Sequence, residues 1–317
     1  LMLPLVYHPI YSQLDLPPAH RYPISKYRRL YQYLNDSLPI DKQTSVKFHQ
    51  PNTLTPDNIK RLHNSDYVDA LINNTLPAVK MRRIGFPWSQ QLIDRTLMST
   101  AGTQLTVELA RQHGIAIHLS GGYHHAHHDF GSGFCLFNDL ALAAHHALTL
   151  EGVDKVMIVD CDVHHGDGTA TLLAKHSDII TFSVHCDKNF PARKPNSDID
   201  LALPKNTSSK DYLDTFKAIY TLALAQHQPD LVLYDAGVDI HEDDELGYFT
   251  VCKEGLYQRD HFVFSTCEQA GIPVAAVIGG GYREDHQTLV ELHAQLIHAA
   301  LDVYIPKIPH DAGLRVR

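Results

Sequence analysis

Cysteine is scarce in this chain: five among 317 residues, an odd number with no framework spacing. That excludes a disulfide-stapled secreted module and makes reduced thiols in a cytoplasmic protein the expectation. Long apolar runs are missing as well. None approaches the roughly 18 to 20 residues of a membrane span. The start, Leu1-Met2-Leu3-Pro4-Leu5-Val6, lacks the charged region and long apolar core of a signal peptide. Positive charge is in deficit, with 27 Lys and Arg against 36 Asp and Glu and a formal net charge of −9. Direct capture of nucleic acid or of an anionic membrane is therefore not expected, and a cationic partner is weakly favoured. No repeat, low-complexity block or Gly/Ser linker interrupts the chain, so residues 1–317 read as one domain. Neither a P-loop nor a G-x-G-x-x-G is present, which argues against phosphate cradling.

What the chain has in excess is histidine. There are 23, and seven fall between His118 and His146. Around them run short apolar segments: 115–117, 156–159, 179–182, 231–234 and 274–278. Each reads as a buried strand. Helical spacing lies between them. Ser89 is placed to cap a helix ending near His113 with Gly114 beyond it, and Thr55-Pro56 reads as a helix start. Leu213, Phe216, Ile219, Tyr220 and Ala223 form one further apolar stripe, and Leu289, Leu292, Leu296, Ile297, Ala300 and Leu301 another. Alternation of strands and helices predicts an α/β fold with a mostly parallel sheet covered on both faces. Several strands run directly into Gly, Asp or His: 118–125, 160–167, 235–239 and 279–282. In open parallel sheets the site lies at the carboxyl ends of the strands, so these segments should converge.

The densest of them is Asp160-Cys161-Asp162-Val163-His164-His165-Gly166-Asp167. Read as extended chain, it points Asp162 and His164 the same way. The plain alternative is a hydrogen-bonded turn. Asp239, after Gly237, is the candidate third ligand. Two carboxylates and one imidazole neutralise a divalent ion and leave a position open for water, as in catalytic zinc sites, although ferrous iron suits the same set. The adjacent His124 and His125 need separate partners, and we pair them with Asp160 and Asp167 for acid–base work on a metal-bound water. His127, His128, His145 and His146 read as ordinary solvated or core imidazoles. Tyr282, after three glycines, is placed to aim its hydroxyl at a developing oxyanion. Gly133, Phe134 and Phe190 suit the walls of a narrow apolar channel, with the Gly133 carbonyl free for a substrate N–H. The acidic run His241-Glu242-Asp243-Asp244-Glu245 reads as a solvated loop without Ca²⁺-loop spacing.

Five motifs in order resemble the zinc-dependent histone deacetylase family, which includes acetylpolyamine amidohydrolases and acetoin-utilisation proteins. They are Gly-Tyr-His-His-Ala at 122–126, Ser-Gly-Phe-Cys at 132–135, the run 160–169, Asp-Ala-Gly-Val-Asp at 235–239 and Gly-Gly-Gly-Tyr at 279–282. The stretches 20–27 and 83–89 lean toward class IV members and their bacterial relatives. The resemblance covers nearly the whole chain. It implies a three-layer α/β/α arginase/deacetylase-type fold with an eight-stranded central sheet. It also implies zinc on Asp162, His164 and Asp239, acid–base histidines at His124 and His125, and a carbonyl-polarising Tyr282. Gly133, Phe134 and Phe190 match its acyl-lysine tunnel, and Arg21 an arginine of its internal product channel. A structural potassium is implied at Asp160, Asp162, His164 and Ser183. The short segment between His185 and Phe190 departs from class I patterns and leaves the tunnel rim open.

The resulting expectation is a metal-dependent amidohydrolase that removes acetyl or longer acyl groups from the ε-amino group of lysine in peptides or proteins. An acetylpolyamine amidohydrolase is the alternative. A two-metal ureohydrolase and a silent acyl-lysine-binding module rank below it.

Overall fold

The computed structural model describes residues 2–305. Leu1 and residues 306–317 of the expected 1–317 unit lie outside the described residues. Among the described residues, eight strands form one sheet. They are β1 (Leu3–Val6), β2 (Val46–His49), β3 (Ile115–His118), β4 (Val156–Asp160), β5 (Ile179–Cys186), β6 (Ile199–Leu203), β7 (Leu231–Asp235) and β8 (Val274–Val277). Their order is β2-β1-β3-β8-β7-β4-β5-β6, and every pairing is parallel.

The three layers follow from the pleat. Along β4, Met157 and Val159 enter one core and Val156 and Ile158 the other; along β7, Val232 and Tyr234 part from Leu231 and Leu233 in the same way. The first core is closed by the helices Lys26–Asp36, Ser209–His227, Lys253–Ala270 and His286–Tyr304. The second is closed by Asp139–Ala147, Asp167–Leu173 and the later turns of Gln90–His113. Both faces are covered, so a central strand can be apolar throughout. Each fully buried Val, Leu or Ile side chain then contributes about 1.5–3 kcal/mol.

The five strands expected from apolar runs are present. The helix from Gln90 begins where the Ser89 hydroxyl accepts from the Leu92 amide at 3.1 Å and ends at Gly114. Thr55 and Asn58 form a capping box for Pro56–Ile59. Three strands escape a reading by apolar runs. The edge strands β2 and β6 are half-exposed, and Lys47, His49 and Asp200 break up their apolar residues. β1 carries Pro4 and lies where the chain starts, so only its pairing with β2 and β3 reveals it.

The four central strands β3, β8, β7 and β4 are those followed by the polar motifs. Parallel pairing brings all four motif segments to one edge of the sheet, side by side.

Candidate active site

β4 ends at Asp160, so strand alternation is not what aims Asp162 and His164. Backbone turns held by the carboxylates do so. The Asp162 amide donates to Asp160 Oδ1 at 3.1 Å, and the His164 amide to Asp162 Oδ1 at 2.9 Å. From β7, Asp239 reaches the same point, where its Oδ1 accepts from the Val163 amide at 2.8 Å. His164 Nδ1 lies 2.9 Å from Asp162 Oδ1 and 3.1 Å from Asp239 Oδ2. Ligands about 2.0–2.1 Å from a tetrahedral ion stand about 3.3 Å apart, so this triangle fits such an ion. A methyl group on Gly280 would run into the Asp162 and Asp239 carboxylates, which is why the cradle needs glycine there. Burial opposes a charge on His164, yet its two carboxylate partners outweigh it and push the imidazole up to about 10. Burial and the neighbouring Asp162 push Asp239 up to about 6. A metal ion at this point must displace the shared proton.

Both expected His–Asp pairs are formed. His124 Nδ1 lies 2.6 Å from Asp160 Oδ2, and His125 Nδ1 lies 2.6 Å from Asp167 Oδ1. The two rings are adjacent but their electrostatics diverge. Burial opposes a charge on His124, but Asp160 and Asp162 hold its imidazole well above the usual range. Burial and the charge of His124 hold His125 down at about 3. The segment that carries both rings is tied from below. Asp139 accepts from the amides of Gly122 and Tyr123 at 3.1 and 2.7 Å and from the Thr103 hydroxyl at 2.6 Å. Thr103 in turn meets His118 Nδ1 at 3.0 Å.

Two cavities meet at the triangle. The inner one has a volume of about 30 Å³ and is bounded by Tyr22, Lys26, Tyr123, His124 and Gly280 among others. The outer one, about 1070 Å³, is the mouth, and His125, His164 and Tyr282 form its base. Phe134 and Phe190 line the mouth with Gly133 between them. Phe190 stands edge-on to His125 at 4.9 Å. A Cβ on Gly133 would meet His125 Cδ2 at 2.6 Å, so a side chain there would displace the imidazole. The Gly133 carbonyl already accepts from Cys135 Sγ at 3.3 Å. The Tyr282 hydroxyl is kept protonated, because burial and Asp162 raise it well above its ordinary range. Its ring lies 6.5 Å from that of His164.

Several residues differ from expectation. Arg21 is exposed and lies outside both cavities, because it precedes the helix Lys26–Asp36 on a surface turn. Lys26 instead enters the inner cavity and donates to the Gly279 carbonyl at 3.1 Å. Burial lowers its ammonium to about 8 despite Asp239, Asp162 and Asp244 nearby. His127 is not an unpartnered imidazole: its Nε2 lies 2.9 Å from Asp167 Oδ2, so Asp167 serves two rings. His128 Nδ1 meets the Leu62 carbonyl at 2.9 Å, and His146 meets Glu108 at 2.7 Å. His145 Nε2 is buried with no partner among the described residues. The acidic run is not merely solvated. Asp244 accepts from the amides of Tyr282 at 2.8 Å, Leu246 at 2.9 Å and Gly247 at 3.0 Å. Burial and Asp239 push its carboxyl up to about 8.

Two further groups are given no role by the sequence: Asp235, although it opens the 235–239 motif, and Arg259. Asp235 is fully buried, and both its oxygens lack a partner among the described residues. Burial and Asp160 keep it well above the carboxylate range. Arg259, fully buried on the helix Lys253–Ala270, donates to the carbonyls of Gly237 at 2.7 Å and Ala236 at 3.2 Å. It holds the turn that aims Asp239. Ser183, expected at a potassium site, is the register partner of Asp160 across β4 and β5, and its hydroxyl meets His185 Nδ1 at 3.0 Å.

Comparison with known proteins matches this arrangement. The chain is 43% identical over 301 residues to an uncharacterized protein of Picosynechococcus sp., covering 95% of this chain and 99% of that one. It is 25% identical over 297 residues to Histone deacetylase 2 of Arabidopsis thaliana, covering 88% of this chain and 74% of the relative. The crystal structure of acetylpolyamine aminohydrolase from Burkholderia pseudomallei superposes with a TM-score of 0.76 at 17% identity, covering 95% of this chain and 99% of that one, and so shares the fold. The histone deacetylase domain signature matches residues 20–298. Strand order, motif order and this match across most of the chain agree: the protein belongs to the histone deacetylase family.

Proposed function

We propose that the chain is a metal-dependent deacetylase that hydrolyses short acyl amides of lysine side chains in peptides or proteins, acting as one catalytic unit. The observation that carries this reading is the triangle of Asp162, His164 and Asp239 placed between a wide mouth and a very small inner cavity. Those three residues would hold a divalent ion, zinc or ferrous iron. When bound, the ion supplies Lewis acidity to the amide carbonyl and to a water. His125 is the histidine of the pair that lines the mouth, and Asp167 on its Nδ1 leaves Nε2 to take the water's proton. The same imidazole then returns a proton to the departing amine. His124, held charged by Asp160, stabilises negative charge as it develops. The Tyr282 hydroxyl donates to the carbonyl oxygen in the transition state. A structural potassium beside Asp160 and Ser183, with backbone at Asp162 and His164, belongs to the same proposal.

The cavities bear on the substrate. An inner volume of about 30 Å³ has room for an acetyl methyl and little more. This favours acetyl over the long chains that a class IV likeness leaves open. The charged side chains at the mouth include Arg83, Arg193 and Lys194. Cations there suit a peptide better than a polyamine, despite the net negative charge of the chain.

The test is release of the free lysine side-chain amine from peptides carrying acetyl, butyryl, octanoyl and myristoyl groups, beside acetylpolyamines, with and without a chelator and with a His125→Ala control. We expect chelator-sensitive turnover that is highest on acetyl and lost in the control. Turnover highest on myristoyl would overturn the chain-length reading. Turnover of acetylpolyamines alone would overturn the peptide reading.

A further inference from the structure

A second group of ligand-type side chains lies on the far side of the same loop, outside both cavities. His165 follows His164 but turns the other way, toward β5 and β6. Its Nε2 lies 3.2 Å from Asp200 Oδ1 and 3.3 Å from Ser197 Oγ. His185, at the end of β5, packs perpendicular to it with ring centroids 4.6 Å apart. One ligand atom from each of His165, His185 and Asp200 lies within 4.8 Å of the others.

We propose that His165, His185 and Asp200 form a second divalent-cation site of the zinc class, separate from the catalytic one. Four observations support it. The set of two imidazoles and one carboxylate is of the kind that suits zinc, with room for water or Ser197 as a fourth ligand. The 3.2 Å separation of His165 Nε2 and Asp200 Oδ1 is close to the edge of a tetrahedron around such an ion. His185 is oriented from behind, since Ser183 Oγ engages its Nδ1 at 3.0 Å and leaves Nε2 as the ligand atom. Hydrogen bonding alone also leaves this cluster incomplete. His165 is fully buried, and its Nδ1 has no partner among the described residues. Its Nε2 is therefore the one ring nitrogen engaged, and it faces Asp200 and Ser197. The Asp200 side chain is 27% exposed, which gives an ion a way in from solvent.

The position gives the site a role. His185 and Asp200 flank the segment 186–199, and that segment supplies Asn189 to Pro195 to the wall of the mouth. An ion here would clamp both ends of that segment to the loop carrying His164. It would steady the mouth without entering it, and it would add folding stability by binding only the folded chain.

The experiment is metal stoichiometry on the full chain, with Co²⁺ as the optical probe and elemental analysis after Zn²⁺ loading. The wild type should take up two equivalents. Asp239→Asn, which removes a ligand of the first triangle, should retain one equivalent with tetrahedral Co²⁺ absorption. Asp200→Asn and His185→Asn should each retain one, and Asp239→Asn combined with Asp200→Asn should retain none. Zn²⁺ should raise the thermal midpoint of Asp239→Asn but not that of the double variant. A single equivalent in the wild type that Asp200→Asn and His185→Asn both keep would overturn the proposal. So would an Asp239→Asn protein that is folded by circular dichroism and binds no Co²⁺. Should Asp239→Asn fail to fold, the loss of one equivalent from folded Asp200→Asn decides the matter alone.

Discussion

The floor and the mouth of the site differ in size, chemistry and support. The floor is a cavity of about 30 Å³ ringed by ionisable groups, several of them hydrogen-bonded carboxylate–imidazole pairs. The mouth is about 1070 Å³ and is lined largely by carbon, with Phe134, Phe190 and Pro191 prominent. Most floor side chains follow the ends of four adjacent central strands, joined by Tyr22 and by Lys26, which opens the helix Lys26–Asp36. Mouth side chains come from the end of the helix Ala78–Ile84 and from loops around residues 130–134, 189–195 and 246–248. The difference teaches where chemistry is determined and where selection of the amine-bearing partner is. Positions that must hold to a fraction of an ångström are built on the sheet, and positions that need only enclose are built on loops.

The largest effect should come from the floor. Tyr282→Phe keeps the ring against Phe134 and removes only the hydroxyl. We expect kcat to fall by about 10²–10³ with KM little changed, the behaviour of a donor used in the transition state. A variant with full kcat would remove Tyr282 from the chemistry.

The floor should also be more sensitive to acid than the mouth, because its foundations include buried neutral imidazoles. Burial and Arg95 hold His118 down at about 3, against an ordinary value of 6.5. Between those values the unfolded chain binds a proton that the folded chain refuses. The penalty is absent above pH 6.5, grows as pH falls below it and is complete near pH 3. At full extent it is on the order of a few kcal/mol. His118→Gln has no proton to take up, so its urea midpoint should fall less between pH 6.5 and 4 than that of the wild type. Equal slopes would mean that His118 titrates normally.

Asp244 tests how the floor is joined to its surroundings. It touches no reacting atom, yet it accepts from the Tyr282 amide. Asp244→Ala should lower kcat roughly tenfold and leave KM nearly unchanged. Adding Tyr282→Phe should then cost little more than Tyr282→Phe alone, because both changes act on one hydroxyl. Full additivity would make Asp244 a residue of general stability only.

The same contrast governs what could be read in the sequence. The floor was legible because its residues are dense along the chain and follow apolar strands. The pairs His124–Asp160 and His125–Asp167 needed only the count of partners on either side of Asp162. Arg21, expected at a product channel, lies outside both cavities, and the cation that enters the inner one is Lys26, five residues later. Similarity of motif does not show which of two cations, one two residues before Pro23 and the other three residues after it, is buried; Lys26 is. Asp244 was hidden because an acidic run looks solvated unless the amide it serves, 38 residues later, is known. Mouth residues such as Arg193 and Lys194 have no local signal, since the wall exists only when distant segments meet.

The smallest effect should come from the mouth itself, where the comparison can be broken most directly. Phe190 is 46% exposed and meets His125 edge-on. Covering one methylene of a substrate stem with such a ring contributes about 0.8 kcal/mol, which corresponds to roughly a fourfold change in an equilibrium. Phe190→Ala should therefore raise KM by roughly that factor on an acetyl-lysine peptide. Because the ring encloses the substrate stem and neither gives nor takes a proton, kcat should hold. The split between the two constants is the informative readout. A rise in KM alone keeps the mouth as an enclosing wall. A fall in kcat comparable to that of Tyr282→Phe would mean that Phe190 fixes the orientation of His125, and the boundary between floor and mouth would then have to be drawn beyond it.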